Sequence, residues 1–164
     1  IYLNNAGNYN IVYYEILRET SVVNEFESIG QIPSDQISFL DQSSNNNNQS
    51  FSYKVRSMDY CGETSLNSES HKTILLQSSV SLDNSVNLSW SNYEGASYQS
   101  YDIYRNINGE GFQLLTSLSL GNNSYTDSAA DISENTYLYY VSISVENCST
   151  EGGRYSTDFS QVYS

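Results

Sequence analysis

The sequence predicts an all-β protein built as two tandem β-sandwiches, and three observations carry that expectation. The composition favours strands: tyrosine fills 16 of 164 positions, valine, isoleucine, threonine and phenylalanine are frequent, and there is one proline. No long window repeats apolar residues at helical spacing, whereas short alternating runs recur between turn residues. The chain also repeats itself. Tyr14, Ile16 and Arg18 stand opposite Tyr101, Ile103 and Arg105 at an offset of 87. Phe26 matches Phe112, Ser38–Asp41 (SFLD) matches Ser124–Asp127 (SYTD), and Phe51–Val55 (FSYKV) matches Tyr137–Val141 (YLYYV), each at an offset of 86. Cys61 matches Cys148 at 87. Matches in one order at one spacing mean one module of about 86 residues written twice.

Each element of the second copy has a local reason. Ser85–Trp90 (SVNLSW) alternates, with Val86, Leu88 and Trp90 on one face. Ser97–Asn106 (SYQSYDIYRN) follows as a strand with Tyr101 and Ile103 on one side and Asp102 and Tyr104 on the other. The turn Asn106–Gly111 (NINGEG) contains an Asn-Gly pair suited to a tight hairpin, and Phe112–Leu118 is the return strand. A turn leads into SYTD, and Thr136–Asn147 forms the longest alternation, with Tyr137, Tyr139, Val141, Ile143 and Val145 on one face. Arg154–Ser164 closes the copy as its last strand. In the first copy NEFESIGQI, DQISFLD, QSFSYKVRSM and ETSLNSES are expected to play the corresponding parts. His71–Gln77 (HKTILLQ) reads as the linker into the first strand of the second copy, which divides the chain into domains 1–76 and 77–164. The first copy has no counterpart of His71–Asn87, so its N-terminal strands are missing and upstream chain is expected to complete it.

A tryptophan ending one strand (Trp90), Tyr-x-Ile-Tyr-Arg (101–105) on the next, SYTD entering another and Tyr-x-Tyr-x-Val-x-Ile-x-Val (137–145) on the longest together resemble a fibronectin type III domain, an immunoglobulin-like sandwich. The run Cys61–Leu76 leading to Trp90–Gly95 is similar to tandem modules of secreted and cell-surface Bacteroidetes proteins, among them type IX secretion cargo and gliding-motility-associated adhesins. The resemblance implies that Trp90 and Tyr137 are structural, Tyr137 as a tyrosine corner whose hydroxyl bonds to nearby backbone. Phe51 holds that place in the first copy and has no hydroxyl to offer, so the first copy is expected to be the less stable by about 1 kcal/mol. It further implies a non-catalytic extracellular spacer or adhesion module of a larger secreted or surface-anchored protein, with neighbouring domains, surface glycans or other proteins as partners. The alternative is an accessory or carbohydrate-binding module of a secreted hydrolase.

Composition removes several other classes. With 6 basic against 19 acidic residues and no basic run, nucleic acid is not a partner. The net charge of −13 opposes anionic membrane surfaces, and no apolar stretch reaches 18 residues, so membrane insertion is not expected. Only 15% of residues are charged, and Ser, Asn, Thr and Gln solvate the surface, a pattern of secreted all-β proteins. One histidine and two equivalent cysteines leave neither a metal cluster nor a thiol–imidazole pair, and no cofactor is expected. The loops Asp127–Asp131 and Glu146–Gly153 are at most weak calcium loops. Cys61 and Cys148 read as small apolar fillers near a turn, the alternative being pairing with a cysteine of a missing segment or a neighbouring chain; His71 reads as an ordinary surface or interface residue and Lys72 as a solvated charge. Tyr98 and Tyr104 are the candidates for an exposed aromatic contact surface, against cross-strand pairing as the structural explanation. Asp127-Ser128-Ala129 resembles the short O-glycosylation signal of the Bacteroidetes, which would place a sugar on Ser128. A glycosidase pair needs carboxylates about 5–10 Å apart across a cleft, which a filled sandwich does not supply.

Overall fold

The computed structural model describes residues 11–45, 48–144 and 162–163. All regular elements among them are strands: β1 (Ile11–Glu19), β2 (Phe26–Pro33), β3 (Ser52–Asp59), β4 (His71–Lys72), β5 (Leu76–Val80), β6 (Val86–Trp90), β7 (Ser100–Ile107), β8 (Gln113–Ser119), β9 (Ser124–Asp127), β10 (Tyr137–Ser144) and β11 (Val162–Tyr163). Their pairings are all antiparallel. They make three sheets, ordered β2-β1-β3-β4, β11-β10-β7-β8 and β5-β6-β9.

In the second half the three-stranded sheet faces the four-stranded one. Leu76, Val86, Leu88 and Trp90 come from one side and Tyr101, Ile103, Tyr139, Val141 and Ile143 from the other, all in one buried cluster. Tyr101, Ile103 and Val141 have no exposed surface. The alternation that places every second residue inward is the reason these strands form, because each buried ring or branched chain contributes about 1.5–3 kcal/mol. The β7–β8 turn confirms the Asn-Gly reading: Asn108 and Gly109 both take positive φ, 53° and 81°.

The first half reproduces the four-stranded sheet strand for strand, with β1, β2, β3 and β4 in the places of β7, β8, β10 and β11. Even the irregularity repeats. The β1–β2 register slips between Ile16 and Leu17, and the β7–β8 register slips between Ile103 and Tyr104, the equivalent residues.

Four expectations change. Ser38–Asp41 is not a strand, although its counterpart β9 is. A strand needs a hydrogen-bonding neighbour; β9 has β6, and Ser38–Asp41 has no such neighbour among the described residues. Glu63–Ser70 tracks β3 without becoming a regular strand, because serine hydroxyls take over ladder positions. Val55 N–H donates to Ser68 Oγ at 3.0 Å and Ser57 N–H to Ser65 Oγ at 2.9 Å. His71 and Lys72 are not linker but β4, paired with Tyr53 and Ser52. Cys61 is exposed rather than a core filler; it sits in a turn where its N–H donates to Asp59 Oδ1 at 2.8 Å. Cys148, the Glu146–Gly153 loop and most of Arg154–Ser164 lie outside the described residues.

Candidate functional site

What joins the two halves is short and built into both. Between β4 and β5 stand only Thr73, Ile74 and Leu75. Thr73 N–H donates to Phe51 O at 2.9 Å, and its hydroxyl accepts Phe51 N–H at 2.9 Å, which ties it to the first half. Leu75 N–H donates to Ser91 Oγ at 2.9 Å and Ser91 N–H to Leu75 O at 3.0 Å, which ties it to the second. Ile74 between them is buried in the second core. A connector whose backbone groups are satisfied in this way has little freedom to swing.

The β6–β7 loop then reaches back. Lys72 and Glu94 form an antiparallel bridge, with Lys72 N–H donating to Glu94 O at 2.9 Å and Lys72 Nζ to Glu94 Oε1 at 3.3 Å. That side-chain pair is exposed and contributes little by itself. Gly95 follows at φ +120°, a conformation L side chains rarely adopt, and a Cβ there would lie 2.6 Å from Ser70 O and 2.8 Å from the His71 ring. The close approach of the two halves therefore requires glycine. Beside it a hydrogen bond links His71 Nδ1 and Tyr93 Oη. Burial holds the His71 imidazole pKa below its usual range.

Rings continue from this contact into the core. His71 lies 6.0 Å from Tyr93, Tyr93 6.0 Å from Tyr98, Tyr98 5.2 Å from Tyr101 and Tyr101 5.5 Å from Trp90, the last three contacts edge-on. Tyr101 Oη donates to Asn92 Oδ1 at 3.2 Å, which leaves it to accept from Tyr98 Oη at 2.6 Å. Burial and that bond push the Tyr98 hydroxyl up to about 12. Asn123 Nδ2 also donates to Asn92 Oδ1, at 2.8 Å. Tyr98 is thus half-buried and braces the junction loop against the core.

Tyr104 lies on the other side of the sheet. It stacks on its cross-strand partner Tyr140 at 4.5 Å and 15°, and Phe112 meets Tyr140 edge-on at 4.7 Å. Tyr98 and Tyr104 do not share a surface, and the ring faces around Tyr140 are engaged with one another. The equivalent first-half residues are Leu17, Lys54 and Phe26, where Lys54 Nζ sits 4.5 Å over the Phe26 ring. Ser128 is exposed in the turn after β9, but the neighbouring Asp127 is buried and fully engaged.

Asp127 belongs to a constellation the sequence reading missed. Arg105 Nη1 and Tyr139 Oη both donate to Asp127 Oδ2 at 2.8 Å, and Arg105 stands 5.9 Å over the Tyr137 ring. The first half repeats it. Arg18 Nη1 donates to Asp41 Oδ2 at 2.8 Å, Tyr53 Oη to the same oxygen at 2.9 Å, and Arg18 stands 5.4 Å over Phe51. Burial and the Asp127 carboxylate raise the Tyr139 hydroxyl pKa; burial and Asp41 do the same to Tyr53. The signal was present in the sequence as an arginine, an aspartate and a tyrosine recurring together at offsets of 86–87. These groups neutralise one another; in the second half they tie β9 to β7 and β10 across the sandwich.

Tyr137 closes the second half. Asp131 N–H donates to its hydroxyl at 3.0 Å, the tyrosine corner of this architecture. The fold is a fibronectin type III-like, immunoglobulin-like β-sandwich. In it Trp90 is a core residue, 6% exposed, at the end of β6. Tyr137→Phe removes the corner bond and leaves the ring, so thermal unfolding is expected to show a loss of about 1 kcal/mol; an unchanged midpoint would mean that the hydroxyl does not hold the corner.

No family model matches the chain, and no curated protein matches it. Among solved structures it is similar to the crystal structure of chicken CNTN1 FN1-FN3 domains, with 15% sequence identity and a TM-score of 0.39, over 83% of this chain and 51% of that one. The chain spans about half the length of that structure. Among the described residues no helix is long and apolar enough to cross a membrane.

Proposed function

We propose that this chain is a non-catalytic extracellular spacer and adhesion segment of a larger secreted or surface-anchored polypeptide, made of two fibronectin type III-like modules that meet between β4 and β5. One observation carries the reading: the junction is locked by backbone, through the Lys72–Glu94 bridge and the satisfied Thr73–Leu75 connector. A spacer that transmits position or force needs a defined angle between modules, and flexible linkers of unsatisfied polar residues do not give one. The interior supports it as well, since the inward faces of β6, β7 and β10 are filled by their own side chains. The net charge of −13 keeps such a stalk soluble and apart from its neighbours. The sequence's likeness to Bacteroidetes surface modules supports a bacterial cell-surface setting reached by type IX secretion.

The test is orientation. Residual dipolar couplings measured on both halves of the chain are expected to fit one alignment tensor, and small-angle scattering to give one narrow distribution of lengths. Two independent tensors with a broad length distribution would remove the spacer reading.

A further inference from the structure

The two copies of the four-stranded sheet differ at one edge. Among the described residues β8 is the outermost strand of its sheet and is hydrogen-bonded to β7 alone. Its seven residues, Gln-Leu-Leu-Thr-Ser-Leu-Ser, contain no charge and no proline. Natural sheets defend such edges with charges, proline or brevity, because a row of unpaired N–H and C=O groups is a template for another strand. The counterpart β2 is defended, carrying Glu27 within it and Pro33 at its end. The edges of the remaining sheet, β5 and β9, are shorter, at five and four residues. Among the described residues β8 is therefore the longest edge left open, although a copy of the same strand with protection stands elsewhere in the chain.

The edge also has a recess. At the start of β8 a cavity of about 110 Å³ lies between Ile107, Leu114 and Leu115, with Arg105 and Glu110 at its rim. At about 30 Å³ for each water, that is room for one small side chain. Leu114 is 55% exposed beside it. Arg105 is committed to Asp127, which leaves Glu110 as the charge that faces a visitor. One strand inward, on β7, Asp102 accepts a hydrogen bond from the hydroxyl of its cross-strand partner Ser117.

We infer that β8 is a docking edge for an extended segment of another polypeptide, one with small aliphatic or β-branched residues at alternate positions and a basic residue at the end that meets Glu110. Main-chain pairing along β8 supplies the affinity, the recess selects the side chain that enters it, and Glu110 at the start of the edge selects a basic residue facing it. A second copy of this chain is the poorer occupant, because it brings the same charge of −13 to the contact. The inference is independent of the spacer reading: a flexible junction with a binding edge, or a fixed junction with a silent one, separates the two.

The probe is an acetylated peptide of alternating valine and threonine with lysine at both ends, titrated into the isotope-labelled full chain. Hydrogen exchange is expected to slow at β8 amides and to stay unchanged at β2. Leu114→Lys puts a charge on the exposed edge and is expected to weaken binding by about tenfold or more, without loss of folding because the side chain is largely solvated. Glu110→Lys is expected to weaken the lysine-ended peptide and strengthen a glutamate-ended one. The inference is overturned if saturating peptide leaves β8 exchange unchanged or protects β2 equally. It is also overturned if sedimentation of the chain alone shows a dimer that itself protects β8.

Discussion

Asp127→Ala is expected to lower the stability of the second module by about 3–5 kcal/mol in equilibrium denaturation. The carboxylate is 1% exposed and satisfies two groups at once, the Arg105 guanidinium and the Tyr139 hydroxyl. Truncation leaves a partly buried cation without its counter-charge and a buried hydroxyl with nowhere to donate, and buried unpaired groups are what make such losses large. Set against a typical total of about 5–15 kcal/mol for a domain, the variant loses roughly a fifth or more of its margin. Asp127→Asn keeps the shape and one acceptor, so it should fall between wild type and alanine. The equivalent Asp41→Ala should be milder, about 1–3 kcal/mol, because the Asp41 side chain is 9% exposed against 1% for Asp127 and water can replace part of what is removed. A loss under about 1 kcal/mol from Asp127→Ala would mean that the clamp is ornamental.

Gly95→Val should leave both modules folded and separate them. Valine at φ +120° is strained by about 1–3 kcal/mol. Its Cβ would also meet Ser70 O at 2.6 Å, a backbone atom that cannot rotate away. The cheapest relief is for the β6–β7 loop to leave β4, which breaks the Lys72–Glu94 bridge and the His71–Tyr93 contact. The expected readout is rapid exchange of the Lys72 amide and a widened length distribution in scattering, with the cores around Val141 and Ile16 unaffected. Glu94→Ala is the control: it removes only an exposed ion pair and should alter neither. If Gly95→Val leaves the Lys72 amide protected, the junction does not depend on the close approach described above.

The repeat was legible because both copies solve the same packing problem with the same residues. Tyr14 and Tyr101, Ile16 and Ile103, and Arg18 and Arg105 were paired by offset before any geometry, and they occupy equivalent places in equivalent sheets. The arginine–aspartate–tyrosine clamp was present in the same offsets and went unread, because a charged pair in a sequence does not say whether it is buried. Tyr98 misled for a related reason. It precedes its strand, where alternation no longer dictates a side, and the Tyr93 and Tyr101 rings decided where it went.

Local chemistry by itself determined strand content, the module repeat, the Asn108-Gly109 hairpin and the inward faces of β6, β7 and β10, since pleat periodicity and turn conformations are properties of a few adjacent residues. Tertiary structure alone decided that Ser38–Asp41 is not a strand, that His71 and Lys72 close the first sheet, and that Gly95 must be glycine. Each of those depends on groups far away in the chain: a neighbouring strand that the described residues do not supply to Ser38–Asp41, β3 for His71 and Lys72, and the Ser70 carbonyl for Gly95. Hydrogen bonds and steric contact across such separations leave no periodic trace for a sequence to display.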